Sequence, residues 1–177
     1  MFGPVKALLF ATNLSEACRP ALETAIAMAT QYHATLVLLH VMDKDVPSQV
    51  EEHLKSVMGE ERLQALLTAH EQEARDALIG KMSSGKMAQK AMRMYCAEAG
   101  IEADACDFEY RELVVPGSPV ADTIASQAGI QDCDLIILGS QKGFRKSNAV
   151  GSIIKGVLRQ ADVPVLVVPP RHGEGGR

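Results

Sequence analysis

The chain has 177 residues, of which 47% are hydrophobic, and its formal net charge at pH 7 is −4. This length and composition suit one globular domain with an ample core, predicted to span residues 1–170. No run of about 18 apolar residues occurs, which excludes a membrane-spanning helix. The acidic balance and the absence of tryptophan argue against a nucleic-acid interface. Because residues 1–6 lack a signal-peptide pattern, we expect a cytoplasmic protein.

Two apolar runs near the N-terminus predict buried strands at residues 5–11 and 34–42. Each run is apolar over most of its length, which is typical of a strand covered on both faces. Between them, Ser15 can cap a helix whose regular part begins near Arg19. Its apolar face comprises Ala21, Leu22, Ala25, Ile26 and Ala29. Strand, helix and parallel strand together predict a right-handed βαβ unit.

Residues 49–99 are rich in good helix formers, with interruptions expected at Gly59, Gly80 and Gly85. Two apolar stripes predict packing of these helices on the sheet. They comprise Leu63, Leu66, Leu67, Ala74, Ala77 and Leu78, then Met87, Ala91, Met94 and Tyr95. A methionine-lined groove for a partner is the alternative interpretation of the second stripe.

The second half of the chain predicts three strands and two helices. The strands are residues 108–115, 135–138 and 163–168. The helices are residues 120–128, capped by Ser118 with Pro119 in the first helical position, and residues 151–160. Five parallel strands joined by helices indicate an α/β fold with a single doubly wound parallel sheet and helices on both faces. The tail, residues 171–177, has nothing to pack and is expected to be disordered.

The loop between the fourth strand and the last helix carries small residues at both ends. Gly139, Ser140 and Gly143 lie at its start, Gly151 and Ser152 lie at its exit, and Lys142, Arg145 and Lys146 lie in the loop. Such a loop follows the carboxyl end of a parallel strand and leads into a helix N-terminus. It therefore offers backbone N–H groups and a positive dipole end to an anion, for which phosphate is the natural candidate.

In this loop the chain resembles the universal stress protein family, whose nucleotide-binding members carry G-x2-G-x9-G-[ST] between the fourth strand and the last helix. Gly139 matches the first glycine and Gly151-Ser152 the closing pair. Lys142 occupies the place of the middle glycine, Gly143 follows it, and the loop is one residue shorter. The resemblance covers residues 4–170. It implies strand order 3-2-1-4-5 and an adenine-nucleotide alpha-hydrolase-like fold.

The resemblance also implies a ligand, ATP or ADP with Mg²⁺ as its companion ion, above strands one and four. Family members have an aspartate after the first strand and a valine at the end of the second. Val41 fits this pattern, and Asn13 stands where the family has aspartate. The candidate nucleotide-binding residues are Ala11, Thr12, Asn13, Val41, Gly117, Leu138, Gly139, Ser140, Lys142, Gly143, Gly151, Ser152 and Ile153.

Catalytic and metal-binding patterns are scarce. The chain has no G-x-S-x-G elbow and no H-E-x-x-H pair, and its four cysteines lack C-x2-C spacing. No metal site is predicted, and slow hydrolysis of a bound nucleotide is the enzymatic activity left open. His40, inside a strand, is predicted to be structural, and His53 is predicted to be exposed.

Three functions follow from these observations and stay open. The first is an adenine-nucleotide-binding stress protein that acts as a dimeric stress-response regulator. The second is a stress protein that acts through protein partners without a nucleotide. The third is a nucleotidyl transferase or another enzyme that uses a nucleotide.

A homodimer is expected through the fifth strand, from Val163 to Val168. This strand lies at the edge of the predicted sheet and is apolar along its length. A free apolar edge invites pairing, and the same strand of a second copy would cover it about a two-fold axis. The alternative is that residues 2–4 or the tail that begins at Arg171 cover this edge within one chain.

Overall fold

The structure is a computed structural model that describes residues 3–43, 50–77, 83–101, 106–141 and 150–171. The strands are β1 Ala7–Ala11, β2 Thr35–Asp43, β3 Tyr110–Gly117, β4 Leu135–Gly139 and β5 Val165–Val168. The helices are α1 Arg19–Tyr32, α2 Val50–Met58, α3 Glu60–Ala77, α4 Ser84–Glu98, α5 Val120–Ile130 and α6 Ser152–Gln160. A 3₁₀ turn, Glu16–Cys18, precedes α1.

All five strands are parallel and lie in the order β3-β2-β1-β4-β5, which confirms the predicted order. β1 is central: Leu9 pairs with Val37 of β2 on one side and with Ile136 of β4 on the other. After β1 the chain forms β2 and β3 on one side of β1, and it then crosses to the other side to form β4. The carboxyl ends of β1 and β4 therefore form the switch point at which such sheets bind ligands.

Each face of the sheet has its own apolar core. Helices α1 to α4 cover the face that carries Leu8 and Phe10, and both side chains are fully buried. Helices α5 and α6 cover the opposite face, which carries Leu9, Val37 and Ile136. Because the side chains of β1 alternate between two buried faces, the strand must be apolar throughout, as its sequence is.

The segment between β2 and β3 forms the three helices α2, α3 and α4. Gly59, with a positive φ of 87°, separates α2 from α3 as predicted, and Gly80 lies outside the described residues. The prediction for Gly85 was wrong, because α4 already begins at Ser84, where the Ser83 hydroxyl accepts a hydrogen bond from Lys86 N–H. Buried side chains of α4, among them Met87 and Tyr95, confirm packing on the sheet.

Several predicted boundaries need correction. β1 begins two residues later than predicted, and β3 is displaced because its pairing with β2 runs from Tyr110 to Gly117. β5 begins at Val165, where pairing with Ile136 starts. Pro119 was expected inside α5, yet its ψ of 147° is extended, so it is the N-cap and Ser118 lies outside the helix. Gly151 is likewise the N-cap of α6.

Candidate functional site

A cavity of about 580 Å³ opens at the carboxyl ends of β1, β2 and β4. Its size is that of a small-molecule pocket, and it lies at the switch point of the sheet. Most of the residues predicted to bind a nucleotide line it. They are Ala11, Thr12, Asn13, Val41, Leu138, Gly139, Ser140, Gly151, Ser152 and Ile153.

Of the described residues on that list, Gly117 is not part of this lining. Lys142 and Gly143 lie outside the described residues. Gly117 ends β3 and packs on α5, where a Cβ atom at position 117 would lie 2.0 Å from Thr123 Oγ1. The glycine at position 117 is thus explained by the close approach of strand and helix.

Val41 was the one residue predicted from β2, and its neighbours in β2 and the residues of α2 were not predicted. His40 and Met42 of β2 line the cavity, and so does His53 of α2. His53 was expected to be exposed. Instead it is half-buried and stacks on His40, with 5.9 Å between the ring centroids and 18° between the ring planes. The sequence signal that could have indicated the burial of His53 is the amphipathic pattern of α2, in which the neighbouring Leu54 is fully buried.

Two glycines shape the cavity in different ways. A Cβ atom on Gly139 would lie 3.0 Å from both Cα and Sγ of Cys18, so the 3₁₀ turn can approach the end of β4 only because residue 139 has no side chain. Among the described residues, no atom would lie within 4 Å of a Cβ on Gly151. Gly151 precedes the N-terminus of α6, whose first N–H groups lack intrahelical acceptors and attract anions.

The turn after β1 forms another wall of the cavity. His40 Nδ1 lies 2.9 Å from the carbonyl oxygen of Thr12, and His53 Nε2 lies 3.3 Å from that of Asn13. A carbonyl oxygen can only accept, so both ring nitrogens are N–H donors. Leu14 N–H donates to Thr12 Oγ1 at 2.9 Å. Side chains from two other elements thus hold the turn in place.

Burial determines the charge of His40. Desolvation lowers its pKa below the usual histidine value and outweighs the hydrogen bond to Thr12, which acts in the opposite direction. The neighbouring His53 lowers the pKa further. His40 is therefore neutral at pH 7, with its proton on Nδ1.

Comparison with known proteins identifies the family. The sequence model of the universal stress protein family matches residues 4–169. The chain belongs to the universal stress protein family. A universal stress protein of Methanocaldococcus jannaschii is 26% identical over 169 residues, which cover 94% of this chain and 96% of that protein.

Solved structures share the fold. The structure of that Methanocaldococcus protein has a TM-score of 0.57 at 24% identity and covers 97% of this chain and 100% of its own. The universal stress protein UspA of Lactobacillus plantarum also has a TM-score of 0.57 at 24% identity, covering 94% and 99%. A universal stress protein in complex with cAMP has a TM-score of 0.53 at 16% identity, covering 96% and 100%. The predicted adenine-nucleotide alpha-hydrolase-like fold is confirmed.

Neither a metal cluster nor a membrane-spanning helix is found in the part of the chain that the structure describes. Within it, no three His, Cys, Asp or Glu side chains are grouped so that they could hold a metal ion. No helix in these segments is both long and apolar enough to cross a membrane.

The lowered pKa of His40 predicts a pH-dependent contribution to stability. Between the folded-state pKa and the ordinary value near 6.5, the unfolded chain binds a proton that the folded protein does not. The free energy of unfolding should therefore fall as the pH drops through this window, by at most about 1.4 kcal/mol per pH unit for one proton.

Urea denaturation between about pH 7.5 and pH 5 measures this effect. His40→Asn keeps a donor for the Thr12 carbonyl but cannot titrate, so the pH slope should be shallower than in the wild type. His33→Asn is the control, because His33 is exposed and its φ of 52° suits asparagine. Equal slopes in His40→Asn and the wild type would contradict the assignment.

Proposed function

We propose that this protein binds an adenine nucleotide, ATP or ADP, in the cavity at the switch point and acts as a dimeric stress-response regulator in the cytoplasm. One observation carries the proposal. A single cavity of about 580 Å³ is lined by Asn13 at the end of β1, by Val41 near the end of β2 and by Gly151 at the N-terminus of α6. A universal stress protein of the same fold was solved in complex with cAMP, which supports this ligand class.

The two ends of the cavity suit the two ends of a nucleotide. Gly151 is the N-cap of α6 and Ser152 its first residue, so the first N–H groups and the positive dipole end of this helix favour the phosphates. Toward β2 the wall includes the apolar side chains of Leu39, Val41 and Met42, which suit a purine ring. Mg²⁺ would be held mainly through the phosphate oxygens. Lys142, which stands where the family pattern has glycine, would add a cation to the phosphates.

The two histidines in the cavity wall favour binding over turnover. The His40 and His53 ring nitrogens that face the β1 turn donate to backbone carbonyl groups, which assigns both rings a structural role there. Slow hydrolysis of the bound nucleotide is compatible with this role. A conformational or partner-dependent output would then depend on whether the cavity is filled.

The dimer is proposed to form along the outer edge of β5, the last strand of the sheet. On the β4 side, Ile136 N–H donates to the Pro164 carbonyl at 3.0 Å, and Ser140 N–H donates to the Val168 carbonyl at 2.8 Å. Parallel pairing uses alternate residues, so the backbone N–H and C=O groups of Val165 and Val167 point toward the open edge. An antiparallel β5 from a second copy would pair with these groups.

The surroundings of β5 also favour a partner at this edge. Tyr32 on α1 and Leu158 on α6 are about half exposed, at 51% and 52%, and both helices pack against β5. Arg171 forms an ion pair with Glu23 of α1. The chain after β5 therefore follows α1 at this point, which weakens the alternative that it covers the strand edge.

Replacing Gly151 with valine should weaken ATP binding at least tenfold, because the added methyl groups obstruct the approach of phosphate to the α6 N-terminus. The fold should be little affected. The backbone angles of Gly151, φ −56° and ψ 152°, suit any residue, and no atom of the part of the chain that the structure describes lies within 4 Å of the new Cβ. Isothermal titration calorimetry gives the affinity, and the melting temperature reports on folding.

Gly129→Val is the matched control. Gly129 is exposed on α5, and its Cβ would likewise have no neighbour within 4 Å in the described segments, so this variant should bind ATP like the wild type. Equal affinity in Gly151→Val and the wild type would refute the phosphate site. A wild type that binds no adenine nucleotide would favour the function through protein partners.

Val167→Pro should convert the dimer to a folded monomer. Proline removes the N–H group of Val167 that faces the open edge, and edge strands tolerate proline where the missing N–H is not part of the internal ladder. Sedimentation velocity at micromolar concentration should change from a dimer to a 19.0 kDa monomer. Leu166→Pro is the contrast, because its N–H faces β4 and its loss should unfold the protein. A monomeric wild type would reject the dimer.

A further inference from the structure

The amide of Asn13 has a defined orientation in the cavity wall. Its Oδ1 accepts a hydrogen bond from Ser15 N–H at 3.1 Å and lies 3.3 Å from Cys18 Sγ. A backbone N–H can only donate, so the oxygen of the amide, not its nitrogen, must face Ser15. Nδ2 therefore occupies the other position of the planar group, and the half-buried Asn13 lines the cavity.

The acceptors of this turn are already engaged by the protein. The carbonyl oxygens of Thr12 and Asn13 face His40 Nδ1–H and His53 Nε2–H. The hydroxyl of Thr12 accepts from Leu14 N–H. Among the described residues, no hydrogen bond uses Asn13 Nδ2. The polar group of this turn that still lacks a partner among the described residues is thus a donor, Asn13 Nδ2.

We propose that Asn13 Nδ2 is a specificity-determining donor that selects a hydrogen-bond acceptor on the nucleoside, either a ribose oxygen or a purine ring nitrogen. This inference rests on the proposed nucleotide site. An aspartate in the same orientation would keep one oxygen on Ser15 N–H and present its second oxygen as an acceptor. Asn13 reverses this polarity and adds no negative charge near the phosphates.

Cys18 is the positioning residue for this donor. Its thiol lies between two partners: Ser15 Oγ–H donates to Cys18 Sγ at 3.6 Å, and Cys18 S–H donates to Asn13 Oδ1. Both Cys18 and Ser15 thus supply donors to Oδ1, which keeps the amide from turning over. Because Cys18 is buried beside Gly139, this contact is held by packing as well as by the hydrogen bonds.

The test is a cycle of protein and ligand changes, measured by calorimetry on the full chain. The base arm uses 1-deaza-, 3-deaza- and 7-deaza-ATP, each lacking one ring acceptor. The ribose arm uses 2′-deoxy- and 3′-deoxy-ATP, with the matching O-methyl ethers, whose oxygen accepts but cannot donate. The analogue that lacks the acceptor contacted by Asn13 Nδ2 should bind the wild type about five- to tenfold more weakly than ATP does. On the ribose arm the methyl ether should restore the affinity.

The protein variants assign that loss to Asn13. In Asn13→Ala the sensitive analogue should bind as well as ATP, because the contact is already gone. Asn13→Asp keeps the shape and the bond from Ser15 N–H, so it remains folded, and it should lose the preference for an acceptor. Cys18→Ser, which retains a donor, should discriminate like the wild type, and Cys18→Ala should discriminate less.

Each outcome has one consequence. If wild type binds ATP and no analogue differs, or if the same analogue is weakened equally in Asn13→Ala, the donor role is overturned and the nucleotide site stands. The donor role also fails if the methyl ether binds as poorly as the deoxy analogue, or if Asn13→Asp discriminates between base analogues as the wild type does. A wild type that binds no ATP overturns both the site and the inference.

Discussion

The burial of β1 on both faces and along both edges is the constraint on which the structure depends. Leu8, Leu9 and Phe10 have no exposed surface, and hydrogen bonds to β2 and β4 occupy both edges of the strand. Beyond the carboxyl end of β1 the chain continues to α1 on one face of the sheet, whereas the chain beyond β4 continues to α6 on the other face. The turn at Thr12 and Asn13 is therefore buried beside a cavity, and its polar backbone groups need partners.

Those partners come from helices inserted between β2 and β3 as well as from β2 itself. His53 of α2 donates to the Asn13 carbonyl, and Tyr95 Oη of α4 donates to that of Ser15 at 3.3 Å. Arg19 lies over the Tyr95 ring at 4.3 Å and forms an ion pair with Glu98. Single ion pairs at a surface contribute little, but together these contacts join the turn at Thr12 and Asn13 to the helical layer.

The parts of this arrangement that were predictable are those set by local patterns. Continuous apolar runs located β1, β2 and β4, and parallel strands place their carboxyl ends at one edge, so Asn13, Val41 and Gly139 were expected together. His53 could not be placed, because its position depends on how α2 docks. Gly117 was assigned to the ligand although close packing on α5 explains it, since a glycine in a sequence does not reveal which neighbour requires it. The strand order came from the family resemblance.

The proposed nucleotide site is the cavity at the carboxyl ends of β1, β2 and β4. Backbone amide NMR of the labelled full chain during titration with ATP would show which residues the ligand contacts. If the nucleotide binds in this cavity, saturable shift changes should be concentrated at Asn13, Val41 and the Gly151 to Ser152 pair. Changes that instead cluster in the groove between α1 and residues 168–171, or no saturable change at millimolar ATP, would contradict it.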